Sequence, residues 1–271
     1  MLDKYFRPVI LTLLYVIMSS VVAIAIALLL LKFNPDASVS LGPLMSSGDA
    51  SFDEHFMSYF VDYVPVTILV TGLVCVGVAR FMKMSDFRQS LDFGMVAWKH
   101  VLVALLGAIL YLAVCDAIVQ ALDIPDNNAE LFMSMSGSVC GMVTIAVIAP
   151  VFEELIFREA IIKSMLSSGA SRRSAIIFSS LCFGLAHGNP AQVCFAFFVG
   201  LLFACIYIKT GNIILSSIAH ILNNTACVIL MRFCGGYDYK MTTIYCIILV
   251  VVLSYPSYFL LHKFWKTYPQ Y

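Results

Sequence analysis

Two adjacent glutamates and an arginine lie within an otherwise apolar run, VFEELIFREA, where they could perform acid-base chemistry. On a helix, Glu154 and Arg158 would lie four residues apart on one face, with the acid preceding the base, which favours an ion pair. Glu153 points about 100° around the helix from Glu154, so its carboxylate must face another helix or water. There it could act as a general base. The alternative is that all three side chains form one packing network between helices.

Two histidines and two asparagines occupy later apolar runs. In NIILSSIAHILNNT, His220 and Asn224 share a helix face at a separation of four residues, and Asn223 is also within reach at three. An imidazole beside an amide can donate hydrogen bonds to a developing oxyanion, although such residues also join helices in membranes. His187, in FGLAHGNP, lies near a predicted helix end that water can reach. The spacing leaves open whether Asn223 or Asn224 would face a site.

A zinc site is a further interpretation of these residues, because imidazole and carboxylate are ordinary zinc ligands. If a metal is bound, Glu153, His187 and His220 are the candidate ligands. The helical HExxH motif is absent from the sequence, so the spacing does not require a metal. Asp62 and Asp116 also fall in predicted spans, where we expect structural roles. An alternative use of Asp62, Asp116 and Glu153 is a proton relay in a transporter.

The composition requires a membrane around these residues. Of the 271 residues, 61% are hydrophobic and 12% are charged, about half the charged fraction of a soluble domain. The formal net charge is zero, with no basic stripe, so we predict that the protein does not bind nucleic acid. We predict an all-α, polytopic transmembrane bundle over residues 1–271, with a core of candidate residues at 138–233.

Eight apolar runs are close to the length of about 20 residues that a transmembrane helix needs. They lie at 8–32, 57–82, 101–122, 138–165, 174–188, 190–208, 212–233 and 241–262. Lys and Arg collect in cytoplasmic loops. Most of them fall on the cytoplasmic side if both termini are cytoplasmic, so we predict that orientation. The segment 34–56 would then be an acidic loop on the opposite side.

The sequences EELIFR, FGLAH and HILNN, in that order, resemble the three motifs of the CPBP (ABI, or CAAX-protease) family of membrane proteins. Glu153, Glu154 and Arg158 match the first motif, Phe183 and His187 the second, and His220 and Asn224 the third. The resemblance covers roughly residues 150–225, and eight spans also suit the family.

The resemblance implies an intramembrane endopeptidase that uses Glu153 and His187 to activate water. It also implies that His220 and Asn224 form the oxyanion hole and that Glu154 and Arg158 orient the helix that carries Glu153. The implied partners are the lipid bilayer and a peptide or lipidated-protein substrate, either a prenylated CAAX-type terminus or an unprenylated peptide. A bacterial plasma membrane is the implied location. The alternative from a different functional class is a non-catalytic membrane partner, such as a bacteriocin-immunity protein or a modulator of a sensor kinase.

Overall fold

The computed structural model describes residues 3–33, 61–85, 87, 91–93, 96–126, 129–233 and 242–269. All regular secondary structure in these ranges is helical, which confirms the prediction of an all-α, polytopic bundle. The described helices are α1 (Asp3–Phe33), α2 (Val64–Phe81), α3 (Trp98–Ala121), α4 (Ala129–Met135), α5 (Val139–Ser167), α6 (Arg172–Leu185), α7 (Pro190–Thr210), α8 (Ile213–Phe233) and α9 (Thr243–Thr267). The acidic loop predicted at 34–56 lies outside the described residues.

Seven of the described helices are long and apolar enough to cross a membrane: α1, α2, α3, α5, α7, α8 and α9. The protein is therefore a multi-pass membrane protein. The predicted fifth span is the exception, because α6 has 14 residues and is only about 21 Å long at 1.5 Å per residue. The hydrocarbon core of a bilayer is about 30 Å thick, so α6 alone is too short to cross it.

Helix α5 carries the two adjacent glutamates. It alternates between α-helical and π-helical segments. Its segments Thr144–Ile148 and Glu154–Ile162 are π-helical, and the second begins between Glu153 and Glu154. A π-helix closes its hydrogen bonds from residue i to i+5 and often occurs at functional sites. Because it has more residues per turn than an α-helix, successive side chains are separated by less than the 100° expected for an α-helix. Neighbouring side chains can therefore project toward the same partner.

A tight hairpin joins α6 to α7. Pro190 opens α7, a position where the missing N–H of proline costs nothing, and Gly188 in the preceding turn has φ +65°, which glycine adopts readily. The two helices then pack closely at Gly184, where an added Cβ would lie 2.8 Å from the backbone oxygen of Val193. A larger residue at Gly184 would push the helices apart.

The hairpin lies between two apolar clusters of the bundle. One cluster joins α1, α2, α5, α6 and α7 with Ile213 at the start of α8, and the other joins α3, α7, α8 and α9. Helix α7 contributes several residues to each cluster and so links them. The residues of the three motifs project from α5, from α6 and the turn that follows it, and from α8.

Candidate active site

The carboxylate of Glu153 and the imidazole of His220 join α5 to α8. Glu153 Oε2 lies 3.5 Å from His220 Nε2, although the two residues are far apart in the sequence. The side chain of Glu153 is 12% exposed, whereas that of its neighbour Glu154 is fully buried. Glu153 is therefore the more exposed of these two glutamates.

Glu154 belongs to a buried network that supports the other side of His220. Its Oε1 lies 3.2 Å from His220 Nδ1 and 3.4 Å from Arg158 Nε, so the predicted ion pair between Glu154 and Arg158 is present. Arg158 also donates from Nη1 to Ser179 Oγ at 3.1 Å, which ties α5 to α6. Because an ionised carboxylate can only accept hydrogen bonds, the proton on Nδ1 points toward Glu154.

The two glutamates therefore contact opposite nitrogens of one imidazole. The sequence places their side chains in different directions. In the structure both carboxylates reach His220, and a π-helical segment begins between them. The ring is also stacked against Phe203 of α7, with the centroids 4.7 Å apart and the planes at 29°. Contacts on its face and on both nitrogens fix the orientation of His220.

The ring of Phe183 connects the first and second motifs. The guanidinium carbon of Arg158 lies 4.6 Å from its centroid, a cation–π contact. The rings of His187 and His220 meet it edge to face, at centroid distances of 4.9 and 5.7 Å. Phe183 is 2% exposed, so it supports both imidazoles from within the protein.

His187 lies in the turn after α6 and is partly exposed. Its Nδ1 is 2.8 Å from the backbone oxygen of Phe183, and because a carbonyl oxygen can only accept, Nδ1 carries the proton. In the tautomer that this contact selects, Nε2 is the acceptor nitrogen. Among the described residues we find no hydrogen bond between His187 and Glu153. The structure thus brings Glu153 and His220 into direct contact and connects His187 to them through Phe183.

Asn224 is the member of the asparagine pair that contacts α5. Its Nδ2 donates to the backbone oxygen of Ile145 at 3.0 Å, and Asn223 donates to Asn224 Oδ1 at 3.0 Å. Asn224 follows His220 in α8, whereas Ile145 precedes Glu153 in α5, so the two helices run antiparallel. One N–H of the Asn224 amide is used in this bond, and its second N–H is available to another acceptor.

The residues do not form the ligand set proposed for zinc. Within the described ranges, no group of three or more His, Cys, Asp or Glu side chains is arranged to hold a metal ion. His220 directs its two nitrogens to two carboxylates, and His187 uses Nδ1 on a backbone carbonyl. We therefore derive no step through a metal.

Two polar contacts of α5 are absent from the sequence prediction. Tyr15 of α1 donates from its hydroxyl to Glu153 Oε1 at 3.4 Å. Glu159, in the same apolar run as Glu153, is fully buried and accepts hydrogen bonds from Tyr207 at 2.7 Å, from Lys163 at 2.9 Å and from Ser85. Glu159 could have been predicted, because it is a charged residue inside an apolar run. No local sequence pattern indicates the contact made by Tyr15.

The two aspartates that were expected to be structural lie elsewhere. Asp62 is exposed in the turn just before α2, rather than within an apolar helix. Asp116 is in α3, where its Oδ2 accepts a hydrogen bond from the side chain of Gln120 at 2.6 Å. We find no contact of either aspartate with Glu153 in the described part of the chain.

Comparison with known families finds one match that includes all three motifs. Residues 135–226, from the end of α4 into α8, match the family model described as type II CAAX prenyl endopeptidase Rce1-like. The family resemblance predicted from EELIFR, FGLAH and HILNN is thereby confirmed. The chain matches no curated protein and no solved structure. At the level of the family, the match supports a protease.

Proposed function

We propose that this membrane protein, which has an Rce1-like region at residues 135–226, is an intramembrane endopeptidase that hydrolyses a peptide bond without a covalent intermediate. Glu153 is the general base in this proposal, and His187 assists it in activating water. His220 and Asn224 stabilise the oxyanion. The observation that carries the proposal is the 3.5 Å contact between Glu153 and His220. It places a partly exposed carboxylate beside an imidazole, inside a bundle of apolar helices.

The reaction begins when Glu153 accepts a proton from a water molecule. The water oxygen then attacks the scissile carbonyl carbon, and the carbonyl oxygen becomes an oxyanion. When the C–N bond breaks, the proton held by Glu153 passes to the leaving nitrogen, so the water is divided between the two products. Proton transfer by a positioned side chain contributes about 10²- to 10⁴-fold to such reactions.

The orientation of the two imidazoles supports different roles for them. His187 presents Nε2 as an acceptor, because Nδ1 donates to the carbonyl of Phe183, and an acceptor nitrogen suits a residue that binds water. His220 is held through Nδ1 by Glu154, which is itself paired with Arg158. Its Nε2 is on the side of Glu153. Because Nδ1 already carries a proton, donation from Nε2 to an oxyanion formed beside Glu153 uses the doubly protonated imidazolium form of His220. The second N–H of Asn224 would be the other donor.

The substrate in this proposal is a peptide segment at the membrane, with a prenylated CAAX-type C-terminus as the first candidate and an unprenylated peptide as the second. The match to CAAX prenyl endopeptidases supports the first candidate. Our proposed location is a bacterial plasma membrane.

The test uses the purified protein in proteoliposomes and two internally quenched peptides of one CAAX-type sequence, one farnesylated and one not. We expect cleavage of the farnesylated peptide and a loss of about 10²-fold or more in kcat for Glu153→Gln, because the amide keeps the shape of the side chain but cannot accept the proton. Asp62→Asn is the matched control, since it makes the same change in an exposed turn. Its kcat should equal that of the wild type.

Two results would contradict the proposal. Full activity of Glu153→Gln would remove Glu153 from the chemistry. A cellular phenotype that survives Glu153→Gln, together with no cleavage of either peptide by the wild type, would favour the non-catalytic membrane partner. Parallel reactions with a chelator measure whether the activity requires a metal.

A further inference from the structure

Helix α1 contacts the candidate active site through one hydroxyl group. Most of α1 faces outward, but Pro8 and Leu11 are buried, and Tyr15 lies on the same face of the helix. The Tyr15 ring meets Phe157 of α5 edge to face at a centroid distance of 5.6 Å. This packing aims the hydroxyl at Glu153 Oε1, 3.4 Å away.

The two oxygens of Glu153 therefore have different neighbours. Oε1 accepts a hydrogen bond from Tyr15, and Oε2 faces His220 Nε2. A carboxylate can rotate about its terminal bond, which has a broad energy profile. A donor on one oxygen and an imidazole on the other restrict this rotation and keep Oε2 on the side of His220.

We propose that Tyr15 is a positioning residue for Glu153, which makes α1 part of the active site. Its hydroxyl holds Oε1 so that Oε2 faces His220 and the water that is activated. The catalytic role assigned here rests on the proposed peptidase function, but the hydrogen bond itself does not. Tyr15 touches neither the substrate nor the water in this proposal, so its effect is transmitted through Glu153.

The test compares two tyrosines of the same helix. Tyr15→Phe removes the hydroxyl and keeps the ring against Phe157. Tyr5→Phe makes the same change near the start of α1, where the hydroxyl contacts Ser174 Oγ of α6 at 2.7 Å. Both variants weaken the docking of α1, but Tyr15→Phe alone removes a contact with Glu153.

We expect kcat for the farnesylated peptide to fall about 10-fold in Tyr15→Phe, the effect of about one hydrogen bond, with KM changed by less than about twofold. Tyr5→Phe should retain the wild-type kcat. Placing 4-aminophenylalanine at position 15, which restores a donor of similar size, should recover most of the lost kcat. A wild-type kcat in Tyr15→Phe, or an equal loss in both variants, would overturn the proposal.

A second measurement separates failure of this inference from failure of the proposed function. Thermal unfolding of Tyr15→Phe, Glu153→Met and the double variant gives the coupling between the two side chains without any substrate. If the wild type cleaves no peptide, the peptidase proposal fails, while a non-zero coupling still supports the hydrogen bond. Additive effects of the two substitutions would overturn it.

Discussion

Gly184→Ala tests how strictly the hairpin of α6 and α7 positions the second motif. A Cβ at Gly184 would lie 2.8 Å from the backbone oxygen of Val193 and 3.3 Å from both the backbone nitrogen and Cβ of Phe197. Two of these three atoms belong to the backbone of α7, so they cannot move away by a change of rotamer. The two helices must separate by several tenths of an ångström to accept one methyl group.

The expected cost follows from two opposing effects. Overpacking a tight interface destabilises a protein by about 1–3 kcal/mol, whereas alanine is favoured over glycine within a helix by about 1 kcal/mol. We therefore expect a net loss of about 1 kcal/mol in the free energy of unfolding. Phe183 directly precedes Gly184, and His187 follows it three residues later. A catalytic group that is misplaced by about 1 Å can lower the rate of a reaction 10²-fold. A shift of about half that distance predicts a loss in kcat of about 10-fold.

Gly77→Ala is the matched control for this experiment. Gly77 is in α2, is exposed, and has nothing within 4 Å of an added Cβ. Its substitution should leave kcat unchanged and leave stability equal to or above that of the wild type. Thermal unfolding in detergent and cleavage of the farnesylated peptide measure both variants. If Gly184→Ala is as stable and as active as Gly77→Ala, the close packing at Gly184 does not position the site.

Three further substitutions test the packing and charge balance of α5. Arg158→Met should lower the free energy of unfolding by about 3–5 kcal/mol, because it leaves the buried Glu154 without its guanidinium partner. The double variant Arg158→Met with Glu154→Gln should recover part of this loss in the same unfolding assay. Gly72→Ala should lower the free energy of unfolding by about 1–3 kcal/mol, because the added Cβ would overlap the ring of Phe152, whose nearest atom is 2.4 Å away. An unchanged melting temperature would refute this packing. Glu159→Gln should lower the free energy of unfolding by about 1–3 kcal/mol, while kcat should stay within about twofold of the wild type. A large loss in kcat would refute a purely structural role for Glu159.

The sequence predicts the membrane-spanning helices well, because a long apolar run can cross a membrane as a helix that satisfies its own backbone hydrogen bonds. The predicted runs at 190–208 and 212–233 differ from Pro190–Thr210 and Ile213–Phe233 by at most two residues at each end. The ion pair of Glu154 with Arg158 was also predictable, since both partners are on one helix at a fixed spacing. The run at 174–188 is different, because its helix ends at Leu185 before it is long enough to span the bilayer.

The contacts between distant helices could not be predicted in the same way. Tyr15 is one aromatic residue in an apolar helix, and its hydrogen bond with Glu153 depends on how α1 packs against α5. A regular α-helix is expected here from the sequence, which does not predict the π-helical segment that begins at Glu154. The sequence places the side chains of Glu153 and Glu154 in different directions, and it does not predict that both carboxylates contact His220.

The partners of the three glutamates of α5 distinguish their functions. Glu154 and Glu159 are fully buried, and each is paired with a cation of its own helix, Arg158 or Lys163. Glu153 instead contacts the Tyr15 hydroxyl and an imidazole, and it keeps 12% of its side chain exposed. A carboxylate in an ion pair of this kind is committed to its partner, because the cation would otherwise lose its counter-charge. Glu153 has no Arg or Lys among its described contacts, so it is the glutamate to which we assign the catalytic role.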